Sequence, residues 1–337
     1  MNVDLPRRSV LGGLAGLAAV PLLAACGSND KQSATVGAGS DGALKEVKVG
    51  YIADGNGAST VAIADKQDLW TKHGLKLRKS VFTNGPLAIQ ALGTGDVDFA
   101  YIGPGALWLP MSGKAVVASL VALGQSDRVI AQKGISSLKD LAGKPVGVPE
   151  GTSGDMLLNL ALKKEGMATS DIKRVVMDPP TVISAFISGQ IQGAAIWYPH
   201  VATIAKRKPD LTEVVKSSDF PDLAFPSAYV AAPNITERAE LLRRFQAVAK
   251  DANQWNHDHR SEVIDLLATF LKAPKDGLEA EAKYVDVLST PELVAKSTDG
   301  TVDKWLDTLS DLFVSIGKVK DPAKAADYYL GAQYAKA

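Results

Sequence analysis

The sequence predicts an α/β fold in which two lobes, each with a mostly parallel sheet, face one another across a cleft and are followed by a helical C-terminal region. From residue 47 onward, apolar strand-like segments alternate with Gly/Pro loops and helix-like segments, as in sheets covered by helices. A weak internal repeat also aligns residues 91–102 with residues 185–196. Two similar α/β units make a cleft, and ligands of such sheets bind beyond the carboxyl ends of the strands.

The first unit covers residues 47–105. Its helix boundaries carry the expected signals, because Gly74 suits a left-handed helix end and Pro86 suits the first turn of a helix. In chain order we predict a strand at 47–52, the turn 54–57 and a helix ending at Gly74, a strand from Leu75, a helix from 84–86 to 93–95, and a strand at 97–102 that leads into the loop 103–105.

The second unit repeats this order. Here we predict a strand at 146–148, the loop 149–154 and a helix, a strand at 175–177, the loop 178–180 and a helix, and a strand at 193–196. After Pro233 the pattern becomes helical. Apolar residues at helical spacing give two faces, one at Leu241, Phe245, Val248, Ala252 and Trp255 and one at Trp305, Leu309, Leu312 and Ile316.

The N-terminus has the pattern of a bacterial lipoprotein signal peptide. Arg7 and Arg8 precede a weakly apolar stretch that ends in small residues before Cys26. We therefore expect residues 1–25 to be removed and Cys26 to become a lipid-bearing N-terminus, which anchors the protein to the membrane outside the cytoplasm. The alternative is a core cysteine after an ordinary helix. The arginine pair resembles a twin-arginine export signal, and an ordinary secretory route remains open.

Composition excludes several classes of protein. The chain has 37 basic and 37 acidic side chains, so it lacks the basic excess that binding to nucleic acid requires. Cys26 is the only cysteine, so no intramolecular disulfide can form. Residues 26–45 are rich in Ser, Gly and Ala, which predicts a flexible tether. His257 and His259 lie two residues apart, a spacing that does not make a metal pair on a helix, and we expect neither a metal nor a cofactor.

Several segments together resemble the ABC-transporter substrate-binding proteins of the taurine, aliphatic sulfonate and nitrate group. The segments that carry this resemblance are Gly85-Pro86 through Phe99, Ile135 through Val148, Gly151-Thr152-Ser153, and Ala194 through Pro199. The resemblance implies a two-lobed, hinge-closing, periplasmic-binding-protein-like fold. It places the first lobe at 46–128 and 232–337 and the second lobe at 129–231.

The resemblance also implies a function. We expect a lipid-anchored monomer that captures a small anionic solute, foremost a sulfonate or taurine, and delivers it to an ABC permease in the membrane. Nitrate, an aromatic carboxylate or a thiamin-pyrimidine precursor are alternative solutes. Enzymes on the same architecture need a cleft cysteine or a histidine-rich site, and here the one cysteine is assigned to the lipid anchor. We therefore expect no enzyme and no catalytic residues.

Four loops supply the predicted site, at residues 55–59, 85–86, 103–105 and 151–154. Each precedes a helix-like segment and exposes backbone N–H groups, and helix N-termini bind anions without a basic side chain. Ordinary capped β-to-α loops are the alternative for each one. Thr152 and Ser153 add hydroxyl groups, and the resemblance makes Trp197 a cleft aromatic against which the solute packs. The predicted ligand-binding residues are Asp54, Asn56, Gly85, Pro86, Gly103, Pro104, Thr152, Ser153, Trp197 and Tyr229.

Two charged residues have open roles at this stage. Asp54 lies in the first loop, where it could hold an amine of an aminosulfonate or cap the following helix. Arg128 lies near the predicted crossing between the lobes, where we expect a structural role with Asp127 or another carboxylate in preference to contact with an oxyanion.

Overall fold

The computed structural model describes residues 43–337. The predicted signal peptide, Cys26 and nearly all of the predicted tether lie outside the described residues. Eleven strands are present in these residues: β1 (Lys45–Ile52), β2 (Leu75–Phe82), β3 (Phe99–Ile102), β4 (Val116–Gly124), β5 (Asp127–Ala131), β6 (Pro145–Val148), β7 (Lys173–Val176), β8 (Gly193–Trp197), β9 (Thr212–Lys216), β10 (Pro226–Ala231) and β11 (Val285–Asp286).

Helices connect and cover these strands. They are α1 (Gly55–Lys66), α2 (Leu69–Lys72), α3 (Gly85–Gly93), α4 (Trp108–Met111), α5 (Ser153–Lys164), α6 (Pro179–Ser188), α7 (His200–Ala205), α8 (Ala239–Asp258), α9 (Arg260–Leu271), α10 (Lys275–Ala282), α11 (Thr290–Thr298), α12 (Thr301–Ser315), α13 (Ala325–Tyr328) and α14 (Gly331–Lys336). Short 3-10 helices lie at Pro104–Ala106, Lys139–Leu141, Thr169–Asp171, Ser217–Asp219 and Pro233–Arg238. No helix within residues 43–337 is long and apolar enough to cross a membrane.

The strands form two sheets with equivalent topology. The first has the order β11-β4-β10-β3-β1-β2 and the second the order β7-β6-β8-β5-β9. In each sheet a central strand pairs parallel with two neighbours, β1 with β2 and β3, and β6 with β7 and β8. A further strand, β10 or β5, then pairs antiparallel on both sides. The predicted α/β fold with two units is confirmed, and each sheet is mixed.

The internal repeat corresponds to this equivalence. Residues 91–102 contain the end of α3 and β3, and residues 185–196 contain the end of α6 and most of β8. Both strands occupy the same position, between the central parallel strand and the antiparallel strand of their sheet.

The chain crosses between the sheets earlier than predicted. The first crossing lies between Gly124, the end of β4, and Asp127, the start of β5. The return crossing lies before Pro226, because β10 pairs with β3 and β4 of the first sheet. The predicted boundaries at 128 and 231 therefore fall within β5 and at the end of β10. β10 is uniformly buried, so its sequence does not reveal which sheet it joins.

Caps fix the starts of the helices that matter for the site. The side chain of Asp54 accepts a hydrogen bond from the backbone of Gly57 at the start of α1, and the side chain of Asn84 accepts one from Leu87 at the start of α3. Gly74 has a φ of +69°, which ends the first helical region. The predicted face of α8 is buried at Leu241, Phe245, Val248 and Ala252, and Trp255 is partly buried.

Candidate functional site

A cavity of about 40 Å³ lies between the two sheets. Eight of the ten predicted ligand-binding residues line it, and all four predicted loops contribute: Asp54, Asn56, Gly85, Gly103, Pro104, Thr152, Ser153 and Trp197. Their role in binding a ligand stays a prediction. The volume is enough for about three water molecules, so the cavity in this conformation suits a small solute.

The N-terminus of α1 is occupied by carboxylates. Glu281 of α10 accepts hydrogen bonds from the backbone N–H groups of Gly55 at 2.8 Å and Asn56 at 2.9 Å. Asp54 accepts the N–H of Gly57 at 2.6 Å. These acids satisfy the first N–H groups of α1, so this loop does not offer the anion site that the sequence predicted.

The N-terminus of α5 differs from that of α1. Thr152 precedes it, and its hydroxyl oxygen accepts no N–H of the helix; the hydroxyl hydrogen is donated to the carbonyl of Pro149 at 2.6 Å. The Thr152 hydroxyl hydrogen is therefore already in use, whereas the Ser153 hydroxyl and the start of α5 face the cavity. The positive end of a helix without a cap is the feature of this cavity best suited to an anionic group.

Direct contacts join the two sides of the cavity. Trp197, at the end of β8, donates its indole N–H to Oδ2 of Asp54 at 3.1 Å. The indole of Trp108 donates to the carbonyl of Gly151 at 3.4 Å. Gly105 lies against the start of α5 so closely that a Cβ placed there would be 2.1 Å from the carbonyl carbon of Thr152. The cleft is closed in this conformation.

The cavity is acidic. Asp54, Asp127 and Glu281 line it, each at most 4% exposed, and no lysine, arginine or histidine of residues 43–337 does. Burial raises the pKa of Asp127 to about 7, against the opposing effects of the Ser153 hydroxyl and the Arg128 guanidinium. Burial likewise raises the pKa of Asp54, and burial together with the charge of Asp54 raises that of Glu281.

Two predicted site residues lie elsewhere. Tyr229 is fully buried in the first lobe, where its ring packs against those of Tyr101 and Phe245, and it does not line the cavity. Tyr101 lines it instead. Pro86 does not line the cavity either, since its ring lies beside Gly151 on the opposite side of the cleft.

Arg128 has the structural role that the sequence favoured. The side chain is 1% exposed and does not line the cavity. Its Nε donates to Glu213 at 2.9 Å, and its Nη1 donates to the backbone carbonyls of Gln125 and Asp127, both at 2.7 Å. The guanidinium also lies 4.2 Å from the ring centre of Tyr284. Arg128 thus ties the first crossing to both lobes.

Glu281 is not among the site residues that the sequence predicts. The sequence predicts Asp127 only as a partner of Arg128. Glu281 lies in the acidic segment of α10, and nothing local distinguishes it from a solvent-exposed helical glutamate. It contacts Gly55 across 226 residues of sequence. Within residues 43–337 no group of three or more His, Cys, Asp or Glu side chains could hold a metal ion.

Comparisons with known proteins agree with this architecture. The chain is 51% identical over 286 residues to a Brucella abortus protein provisionally named a binding protein, covering 84% of this chain and 90% of that one. It is 29% identical over 259 residues to the taurine-binding periplasmic protein of Escherichia coli K12, covering 73% and 79% respectively. The structure of the alkanesulfonate-binding protein SsuA from Xanthomonas axonopodis pv. citri, bound to MOPS, superposes with a TM-score of 0.68 at 19% identity, covering 84% of this chain and 97% of that chain.

A family assignment follows from the sequence matches. The profile of the NMT1/THI5-like family matches residues 58–263, which is more than half of the chain. Together with the half-identical Brucella relative, this match shows that the chain belongs to the NMT1/THI5-like family.

Proposed function

We propose that this protein is an extracytoplasmic solute-binding protein that captures a small organic solute with an anionic group, a sulfonate or taurine, and delivers it to an ABC importer. The names of the taurine-binding relative and of the sulfonate-binding structural neighbour support this class of solute. The chain is a binding protein and not an enzyme, in agreement with the names of its relatives.

The observation that carries the proposal is the closed cavity between two equivalent lobes, with the start of α5 facing it. Enclosure removes the solute from water and strengthens each polar contact. An anionic group would be held by the N–H groups at the start of α5 and by the Ser153 hydroxyl. Trp197 and Tyr101 supply apolar walls for the carbon part of the solute.

A binding protein that serves a membrane permease has to be held close to the membrane. We propose that Cys26 carries a lipid that holds the protein at the outer side of the cytoplasmic membrane, next to its permease. The low-complexity segment 26–45 would be the tether, and the protein would act as a monomer. Export by the twin-arginine or the ordinary secretory route is compatible with the same end point.

A thermal-shift screen of the purified protein tests the class of solute. The screen includes taurine, alkanesulfonates, nitrate, an aromatic carboxylate and a thiamin-pyrimidine precursor. A ligand at 100 times its dissociation constant stabilises the folded state by about 2.7 kcal/mol, which raises the midpoint of unfolding measurably. We expect taurine or an alkanesulfonate to give the largest shift. A shift only with one of the other solutes would keep the transport role and replace the sulfonate assignment.

A further inference from the structure

The cavity has an excess of hydrogen-bond acceptors. Its three carboxylates belong to Asp54, Asp127 and Glu281, and they come from both lobes. Asp54 and Glu281 accept only neutral donors, namely backbone N–H groups and the indole of Trp197. Burying a charge is costly unless it is paired and hydrogen-bonded, so a small cavity lined by three carboxyl groups favours a solute that brings a positive charge.

Two buried acceptor atoms on residues that line the cavity lack a partner within the described residues. Oδ1 of Asp127 accepts no hydrogen bond although this residue is 3% exposed. Oδ1 of Asn56 also accepts none, while its amide nitrogen is held by the Ser227 hydroxyl at 3.0 Å. Both residues line the cavity. Native proteins seldom leave buried acceptors unpaired, so these atoms point to a donor that a ligand brings.

The nearest basic side chains do not fill this role. Arg128 donates to the backbone carbonyl of Asp127 and to Glu213, and no hydrogen bond joins it to the Asp127 carboxylate. Arg260 lines a second cavity that shares Asn56 and Glu281 with the first, and there it donates to Asn256 at 2.6 Å. Neither arginine lines the cavity between the lobes.

We propose that Asp127 and Asn56 form a subsite for a protonated amine, in a cavity that Asp54 and Glu281 also line, so that the solute carries both a cation and an anion. An ammonium group has three N–H donors and no acceptor, which matches these unpaired oxygens. This inference rests on the proposed function for the anionic end. The amine subsite selects an aminosulfonate such as taurine over plain alkanesulfonates and over nitrate, and the small volume disfavours longer aminosulfonates.

Calorimetry with taurine and ethanesulfonate tests the subsite, because ethanesulfonate lacks only the amine. We expect the wild-type protein to bind taurine at least about tenfold more tightly than ethanesulfonate, which corresponds to losing one hydrogen-bonded charged group. In Asp127→Asn the preference should fall to a few-fold or less. Asp321→Asn, which changes the same charge at an exposed position away from the cavity, should keep the full preference.

Each outcome of these titrations supports or overturns the amine subsite. Equal or tighter binding of ethanesulfonate by the wild-type protein would overturn the amine subsite and leave the sulfonate assignment intact, whether or not Asp127→Asn folds. An unchanged preference in a folded Asp127→Asn variant would also overturn it.

Should neither sulfonate bind, the sulfonate assignment fails, and ethylamine and ethanolamine then probe the subsite alone. Stabilisation by these amines in the wild type but not in Asp127→Asn supports the subsite, and no stabilisation overturns it.

Discussion

At the scale of single residues, Asp127 shows how a fold can hold a costly charge. It is buried, it lines the cavity, and its Oδ1 has no partner within the part of the chain that the structure describes. The neighbouring residue in sequence, Arg128, is equally buried but has donors engaged with Glu213 and two backbone carbonyls. We propose that Asp127 contacts a ligand, whereas Arg128 stabilises the fold.

The raised pKa of Asp127 predicts a pH-dependent stability. Its folded-state pKa of about 7 exceeds the unfolded value of 3.8, so the folded state binds the proton more tightly. The resulting penalty is full above pH 7 and declines as the pH falls toward 4. Without ligand, Asp127→Asn should be more stable than wild type at pH 8 by about 1 kcal/mol or more, and the difference should shrink by pH 5. Thermal unfolding at both pH values measures this. An equal difference at both values would contradict the assignment.

Removing Arg128 should destabilise the protein. Arg128→Ala would remove the guanidinium from the partly buried Glu213, which keeps the Tyr198 hydroxyl at 2.7 Å as a donor, and from two backbone carbonyls, at a cost of about 2 to 4 kcal/mol. Arg128→Lys should recover little, because an ammonium cannot reproduce the forked contacts or the stacking on Tyr284. Denaturant unfolding of both variants measures the effect. A lysine variant as stable as wild type would show that charge alone suffices.

At the scale of elements, the start of α5 sets how closely the lobes approach. The 3-10 helix that contains Gly105 lies directly on Thr152 and Ser153, with no space for a side chain. The N-terminus of α1, by contrast, is covered by Asp54 and Glu281. The two helices thus present opposite charges to the cavity. α5 presents the partial positive charge of its own N–H groups, and α1 presents the acids that cap it.

Gly105→Ala should prevent full closure. Its Cβ would lie about 2 Å from backbone atoms of Thr152 and Ser153, which cannot move aside as a flexible side chain could. We expect solute affinity to fall at least about tenfold, because contacts from one lobe are lost, each worth about 1 kcal/mol or more. Calorimetry with the best solute from the screen measures the loss. Gly93→Ala is the control, since a Cβ at Gly93 meets nothing within 4 Å. Wild-type affinity in Gly105→Ala would show that the closed contact is not required for binding.

At the scale of the whole molecule, the chain forms two equivalent sheets and crosses between them twice. β5 and β10 are the antiparallel strands of their sheets, and each is entered directly from a crossing. The crossings are therefore the covalent links about which the lobes can move. Ion pairs between Lys206 and Asp276 at 2.8 Å and between Lys318 and Asp155 at 3.4 Å join the two sides.

The proposed lipid anchor predicts where the protein is found. Cys26→Ser should remove the label in cells grown with radioactive palmitate and release the protein from the membrane fraction, because Cys26 is the only thiol in the chain. Ser28→Ala, a change two residues away, should keep the label and the membrane location. Fractionation followed by autoradiography measures both properties. Label retained on Cys26→Ser would rule out this anchor.

Local patterning predicted much of this fold. Apolar spacing, with Gly, Pro, Asp and Asn at the ends, located α1, α3, α5 and α6 with their preceding strands, and it located α8 without the strand before it. The repeat identified two equivalent units, and the four loops located part of the cavity lining. These features were predictable because caps, turns and amphipathic faces depend on residues a few positions apart.

Only the tertiary structure decided the electrostatic character of the site. Glu281 reaches α1 across 226 residues, and Trp197 meets Asp54 across 143. β10 joins the first sheet through pairings with distant strands, and Tyr229 belongs to the core behind the cavity. Such contacts depend on which surfaces meet once each lobe has folded, and no local sequence pattern predicts them. The sequence by itself therefore determined the elements and the loops of the cleft, while long-range packing determined that the cleft is acidic.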